Sequence, residues 1–170
     1  MPIYSETIDD DSILRILGKK YERVLIIGCG ACMNESLAVR YSMPIYKESP
    51  NTPYATVHEL QRIRELLATQ GYQVETKYYN NINGFYCMTN IETDQFPLDW
   101  IMQPEIILVL SCTSGCEGLR DRLPTQKIVR ITRLIGGLPY CFSDENEIRA
   151  IVKEDTEVLP LKKEQFYAEV

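Results

Sequence analysis

Four of the six cysteines lie in two short turns, and each turn follows a run of apolar residues. The two segments are 24–32 and 106–116, and their cysteines are Cys29, Cys32, Cys112 and Cys116. Each apolar run has the length and composition of a buried parallel strand. In such sheets, ligands bind outside the carboxyl ends of the strands, where the strand order reverses. We therefore predict that the two strands are neighbours at this reversal and that the four thiols converge.

Four converging thiolates predict a tetrahedral zinc site or an iron–sulfur cluster. The C-x2-C spacing of the first pair is a common metal chelate, whereas the C-x3-C spacing of the second is less typical. A helix that begins at each turn would point its N-terminus at the thiols and favour thiolate. Two alternatives stay open. The cysteines could pack as small apolar residues, or Cys29 and Cys32 could form a redox-active dithiol.

The same turns also have features of a loop that binds an anion or a nucleotide. Gly28 and Gly30 follow a strand and precede a helix, but Met33 replaces the third glycine of the dinucleotide-binding motif. Backbone N–H groups of the second turn could bind phosphate. The candidate ligand-binding residues are Gly28, Gly30, Thr113, Ser114 and Gly115. This alternative predicts a Rossmann-like enzyme that binds a small anionic ligand or nucleotide and uses a redox-active or nucleophilic cysteine.

Helical and strand patterns alternate along the chain, which is typical of an α/β fold. The predicted strands are 24–27, 72–79, 106–111 and 127–132. Thr56 and Glu59 fit a capping box for the most regular helix, which Gly71 is expected to end. A last helix is predicted over 144–152. We predict a single Rossmann-like open sheet, mostly parallel, with right-handed crossovers and helices on both faces.

The length of 170 residues fits a single α/β domain that spans residues 1–170. Within it, residues 1–22 are expected to form an N-terminal helical arm. Asp9 begins a run of acidic capping residues in this arm, and Gly18 is the expected helix stop. The domain is large enough to fold without disulfide bonds.

The net charge of −6 and the scattered basic residues exclude nucleic acid and an anionic membrane as main partners. Neither a signal peptide nor an apolar run of membrane-spanning length is recognisable, so we expect a cytoplasmic protein. In a reducing cytoplasm, paired cysteines favour metal binding or redox chemistry over structural disulfides. Cys87 and Cys141 have no partner at chelating spacing, and His58, the single histidine, is expected to be exposed. A homodimer is the default oligomeric state.

The segments 27–32, 60–71 and 108–115 combine a strand with a Gly-Cys-x-x-Cys turn, a Leu-rich helix with a glycine stop, and a second cysteine turn. In these features, over about residues 23–116, the chain resembles the N-terminal half of the cysteine-rich small subunit of methylenetetrahydrofolate reductase from anaerobes. The resemblance implies an accessory protein that binds zinc or an iron–sulfur cluster and serves one-carbon metabolism or electron transfer with a partner enzyme subunit. Within the 170 residues only Cys141 follows Cys116, so the cysteine-rich carboxyl-terminal segment of that family is not recognisable in them.

Overall fold

A four-stranded parallel sheet and a smaller antiparallel sheet organise the fold. The computed structural model describes residues 3–44, 53–79 and 103–137, together with 142–143, 148–149 and 159–160. In chain order the elements are β1 (Ile3–Thr7), α1 (Asp10–Leu17), β2 (Arg23–Cys29), α2 (Cys32–Tyr41), α3 (Tyr54–Thr69), β3 (Gln73–Tyr79), β4 (Ile106–Leu110), α4 (Thr113–Arg122), β5 (Ile128–Arg130), β6 (Thr132–Gly137), β7 (Phe142–Ser143), β8 (Ile148–Arg149) and β9 (Leu159–Pro160).

The parallel sheet has the strand order β3-β2-β4-β5, and every neighbouring pair in it is parallel. All five residues of β4 and the last six of β2 are buried, as expected for central strands that are covered on both faces. The chain runs outward from β2 to β3 and then returns to β4 on the other side of β2. The strand order therefore reverses between β2 and β4, which confirms that the two predicted strands are neighbours.

Helix α3 covers one face of this sheet. A Cβ atom added at Gly28 would meet Thr56 Cγ2 at 2.4 Å and Leu60 Cδ1 at 2.9 Å, so the helix lies directly on β2. Across the sheet, the chain moves from β4 to β5 in the direction opposite to its move from β2 to β3. Because parallel crossovers are right-handed, α4 is expected on the opposite face from α3.

The predicted capping box at the start of α3 is wrong. The helix begins at Tyr54, with Pro53 as its N-cap, so Thr56 lies inside the first turn. Its side chain is fully buried and its hydroxyl donates to the carbonyl of Cys29 at 2.8 Å. In α1, by contrast, Asp9 accepts a capping bond from Ser12 N, and Gly18 is the C-cap with a positive φ of 54°.

A second sheet, with the strand order β1-β6-β9, is antiparallel. The prediction of one sheet is therefore not confirmed, although the α/β class and the mostly parallel main sheet are. Residues 3–7, expected within a helical arm, form strand β1 and pair with β6. The glycines at 136 and 137 lie within β6.

Side chains of α2 cover the outer edge of β1. Ser36 Oγ accepts a hydrogen bond from Ser5 N at 3.1 Å and lies 3.1 Å from the carbonyl oxygen of Ile3. It also lies 2.7 Å from the carbonyl oxygen of Cys32, one turn earlier in α2. These contacts satisfy backbone groups of an edge strand that would otherwise be exposed for pairing. They also attach β1 to the helix that begins at the first cysteine turn.

A buried carboxylate joins the three helices that lie before β3. The side chain of Glu59 on α3 is fully buried and accepts bonds from Arg62 and from the hydroxyl of Tyr41 on α2. Arg62 also pairs with Asp10 on α1 at 2.9 Å. Burial and the adjacent Glu59 carboxylate raise the pKa of Tyr41, so this hydroxyl stays protonated and donates.

The short strands β7 and β8 pair with each other in antiparallel orientation. The prediction of a helix through residue 148 is therefore wrong at β8. Cys87, Cys141 and most of the segments 80–102 and 138–170 lie outside the described residues. Among the helices that are described, none combines the length and apolar character needed to cross a membrane.

Candidate functional site at the carboxyl edge of the sheet

The two cysteine turns lie side by side at the carboxyl edge of the parallel sheet. Gly28 on β2 pairs with Leu110 on β4, and the two turns begin directly beyond this pair. Neighbouring strands are about 4.8 Å apart, so the turns are adjacent. This position is the crevice at which open α/β sheets bind their ligands.

The first turn is closed by contacts with neighbouring elements. Gly28 lies against α3, and Thr56 Oγ1 donates to the carbonyl oxygen of Cys29 at 2.8 Å. The N–H of Gly30 donates to the carbonyl oxygen of Tyr79 at 2.9 Å. The first turn of α2 also carries Glu35, whose negative charge opposes anion binding at this helix N-terminus.

The second turn has a different environment. Cys112 is the N-cap of the ten-residue helix α4, and Thr113 and Ser114 are exposed in its first turn, whereas Gly115 is buried. This first turn contains no acidic residue. The guanidinium of Arg130, at the end of β5, donates to the hydroxyl of Thr113. A helix N-terminus, two hydroxyls and a fixed cation therefore share the carboxyl edge.

The four cysteines differ in exposure. Cys29, Cys112 and Cys116 are buried, and Cys32 is partly exposed. Cys29 alternates with Gly28 along β2, so its side chain points away from α3, and both Cys29 and Cys116 belong to the hydrophobic core. Burial raises the pKa of the Cys116 thiol, which favours the neutral thiol in this environment.

The predicted metal site is not supported by the side-chain positions. Among the residues that the structure describes, no group of three or more His, Cys, Asp or Glu side chains is placed to hold a metal ion. The metal hypothesis required the two cysteine turns to be adjacent, and they are adjacent. Zinc and iron–sulfur binding stay predictions.

The antiparallel sheet reaches the same edge through β6. The N–H of Ile131 donates to Val109 O at 3.0 Å, and the hydroxyl of Thr132 donates to the carbonyl of Ser111. Thr132 lies directly opposite Thr7 in the pairing of β6 with β1. Directly opposite residues project from the same face of an antiparallel pair, so Thr7 faces the carboxyl end of β4.

Sequence reasoning missed four residues at this edge, namely Ser5, Thr7, Arg130 and Thr132. A signal for Arg130 was present, because a basic residue that ends a parallel strand lies at the ligand-binding edge. Strand β1 gave no such signal, because Ser5, Glu6 and Thr7 are consecutive polar residues without alternation.

An open cleft of about 440 Å³ lies at the opposite, amino-terminal edge of the sheet and is lined by Arg23, Gln103, Pro104 and Gln126. Arg23 is already bonded to the carbonyl oxygen of Gln103 and forms an ion pair with Glu105. The cleft is therefore separate from the cysteine turns, and its basic side chain is engaged in structural contacts.

Comparisons of the chain with protein-family models, with curated proteins and with solved structures find no match. The resemblance to the reductase subunit accordingly stays a prediction from the sequence.

Proposed function

We propose that the protein binds a small oxyanion-bearing ligand, such as a phosphate compound, at the carboxyl edge of its parallel sheet. The binding groups are the first-turn N–H groups of α4, the hydroxyls of Thr113 and Ser114, and the guanidinium of Arg130. This proposal keeps the predicted ligand residues of the second turn. It assigns Gly28 and Gly30 to positioning, because their close contacts hold the first turn in place.

One observation carries the proposal: Arg130 is bonded to Thr113 at the N-terminus of α4, beside the reversal of strand order. The first turn of a helix presents unpaired N–H groups and about half a positive charge. A charged hydrogen bond to an anion contributes about 1.5–3 kcal/mol. Together these groups are suited to an anion and unsuited to a cation.

Inorganic phosphate provides the direct test, in calorimetric titrations of the full chain at constant ionic strength. We expect saturable binding that becomes at least about tenfold weaker in Arg130→Gln, since one charged hydrogen bond is lost. Arg133→Gln is the matched control. Its side chain is exposed and pairs with Glu6, and the substitution removes the same charge nearby without changing the proposed site.

Two results would overturn the proposal. The first is the absence of saturable phosphate binding to the wild-type chain. The second is an equal loss of affinity in the Arg130 and Arg133 variants, because this would show a general effect of net charge rather than a localised site.

A zinc or iron–sulfur site on Cys29, Cys32, Cys112 and Cys116 is the second candidate, in an accessory protein of a partner enzyme. The adjacency of β2 and β4 favours it, since both cysteine pairs follow neighbouring strands. The described side chains would have to rearrange to provide four ligands. Metal and sulfide analysis of anaerobically purified protein is the test, and the absence of both would rule this candidate out.

A further inference from the structure

Strand β1 lies between α2 and the carboxyl end of β4. On one side, α2 lies along the strand: Ser36 accepts from Ser5 N, and Arg40 donates to the carbonyl oxygen of Thr7. On the other side, Thr7 is paired with Thr132 of β6, whose hydroxyl reaches the carbonyl of Ser111 at the end of β4. Along its length the strand therefore packs against α2, and its Thr7 end faces the carboxyl end of β4, where the strand order reverses.

Two hydroxyls on this strand are buried without a partner. Within the described part of the chain, Ser5 Oγ and Thr7 Oγ1 have no hydrogen-bond partner, and the residues are 2% and 5% exposed. Most buried hydroxyls in proteins are hydrogen-bonded, and an exception calls for a bound water, an ion or a ligand. The two residues are separated by one position, so both hydroxyls lie on the face that Thr7 shares with Thr132.

The charged side chains of the β1–β6 strand pair are on its other face. Glu6 alternates with Ser5 and Thr7, and its carboxylate pairs with Arg133 at 3.0 Å. No carboxylate of β1 therefore faces the crevice. The two hydroxyls can donate to an anion there without a competing negative charge on their own strand.

We infer that Ser5 and Thr7 are ligand-binding residues that donate hydrogen bonds to the oxyanion at α4, with β1 forming the second wall of the site. The inference rests on the proposed oxyanion binding and narrows its ligand class. Donors on two sides of the crevice suit a tetrahedral oxyanion, whose four oxygens point in different directions. A planar carboxylate has both oxygens at one end and cannot accept equally from both walls.

The test uses the full-length double variant Ser5→Ala/Thr7→Val, which removes both hydroxyls with little change in side-chain volume. Inorganic phosphate and acetate are titrated at equal ionic strength into the wild type and the variant. We expect phosphate affinity to fall by at least about a hundredfold in the variant, since two hydrogen bonds to a charged group are lost. We also expect wild-type protein to bind acetate more weakly than phosphate.

Two further variants separate binding from folding. Thr7→Ser keeps the hydroxyl and should retain wild-type affinity. Thr69→Val removes an exposed hydroxyl at the end of α3 and should bind phosphate normally. The ligand-free double variant should melt at the wild-type temperature or above it, because the replaced hydroxyls have no partner among the described residues.

The outcomes distinguish this inference from the proposal beneath it. If the wild type binds phosphate and the double variant binds it equally well, the hydroxyls hold only water and the inference is overturned while the proposed function stands. If acetate binds as tightly as phosphate, the assignment to a tetrahedral oxyanion is overturned. If the wild type binds no phosphate, both fail.

Discussion

The two cysteine turns follow the same kind of strand, yet their surroundings give them different properties. Two helices follow the first turn before the chain returns to the sheet, and α3 packs directly onto Gly28. A single helix follows the second turn, and its N-terminus carries exposed hydroxyls and the guanidinium of Arg130. A strand followed by a cysteine turn therefore does not by itself specify a site. The packing around the turn decides whether it is structural or available to a ligand.

The largest effect is expected from Gly28→Ala at the closed turn. A Cβ at this position would lie 2.4 Å from Thr56 Cγ2, so the Thr56 side chain or helix α3 must shift. Overpacking of this kind costs about 1–3 kcal/mol of stability, which urea denaturation would measure. Adding Thr56→Ser removes the nearest methyl group and should restore part of the loss. If the Gly28→Ala variant were as stable as the wild type, the first turn would not be tightly packed against α3.

Thr56→Val keeps the methyl contact but removes the donor to the Cys29 carbonyl. We expect it to lower the free energy of unfolding by about 1–3 kcal/mol. Thr69→Val is the matched control on the same helix. Its hydroxyl is exposed, so a change within about 0.5 kcal/mol is expected. Equal free energies of unfolding for the two variants would show that the bond to the first turn contributes nothing.

Opposite effects on the free energy of unfolding are expected from the two threonines that face each other in the β1–β6 strand pair. Thr132→Val removes a buried donor to the Ser111 carbonyl and should lower the free energy of unfolding by about 1 kcal/mol. Thr7→Val replaces a buried hydroxyl that has no partner within the described residues, and should leave stability unchanged or increase it. If both variants were destabilised equally, the hydroxyl of Thr7 would have a partner after all.

The smallest effect on stability is expected from Arg130→Gln at the open turn. This side chain is only half-buried, so the free energy of unfolding should change by about 0.5 kcal/mol or less without ligand. With saturating phosphate, however, the wild type should gain stability that the variant lacks, because ligand binding stabilises the folded state. Thermal unfolding with and without phosphate measures both quantities. If phosphate stabilised the wild type and the Arg130→Gln variant equally, the anion would bind elsewhere.

The central strands could be predicted from the sequence because each is a short apolar run that ends in glycine or serine. The uniform burial of β4 requires such a run, and the two runs are neighbours as expected. The ends of α1 were also predictable, since Asp9 and Gly18 act through their own backbone neighbours. These features depend on local chemistry and on general rules of sheet topology.

The remaining features depend on contacts between distant segments. Thr56 has the sequence pattern of a helix cap, but the close approach of α3 to Gly28 turns its hydroxyl toward the first cysteine turn. Strand β1 was missed because Ser5 and Thr7 replace the apolar residues that normally mark a buried strand face. The pairing of β1 with β6 spans more than 120 positions of the chain, for example from Thr7 to Thr132, and no local pattern encodes it.

The most direct test of oxyanion binding at the carboxyl edge is an NMR titration of ¹⁵N-labelled protein with inorganic phosphate at constant ionic strength. We predict saturable amide shifts that are largest at residues 113–115 and at Arg130, with smaller changes at Ser5 and Thr7. Shifts centred on Arg23, Gln103 and Gln126 would instead place the anion in the cleft at the amino-terminal edge. That result, or the absence of saturable shifts, would contradict the central claim.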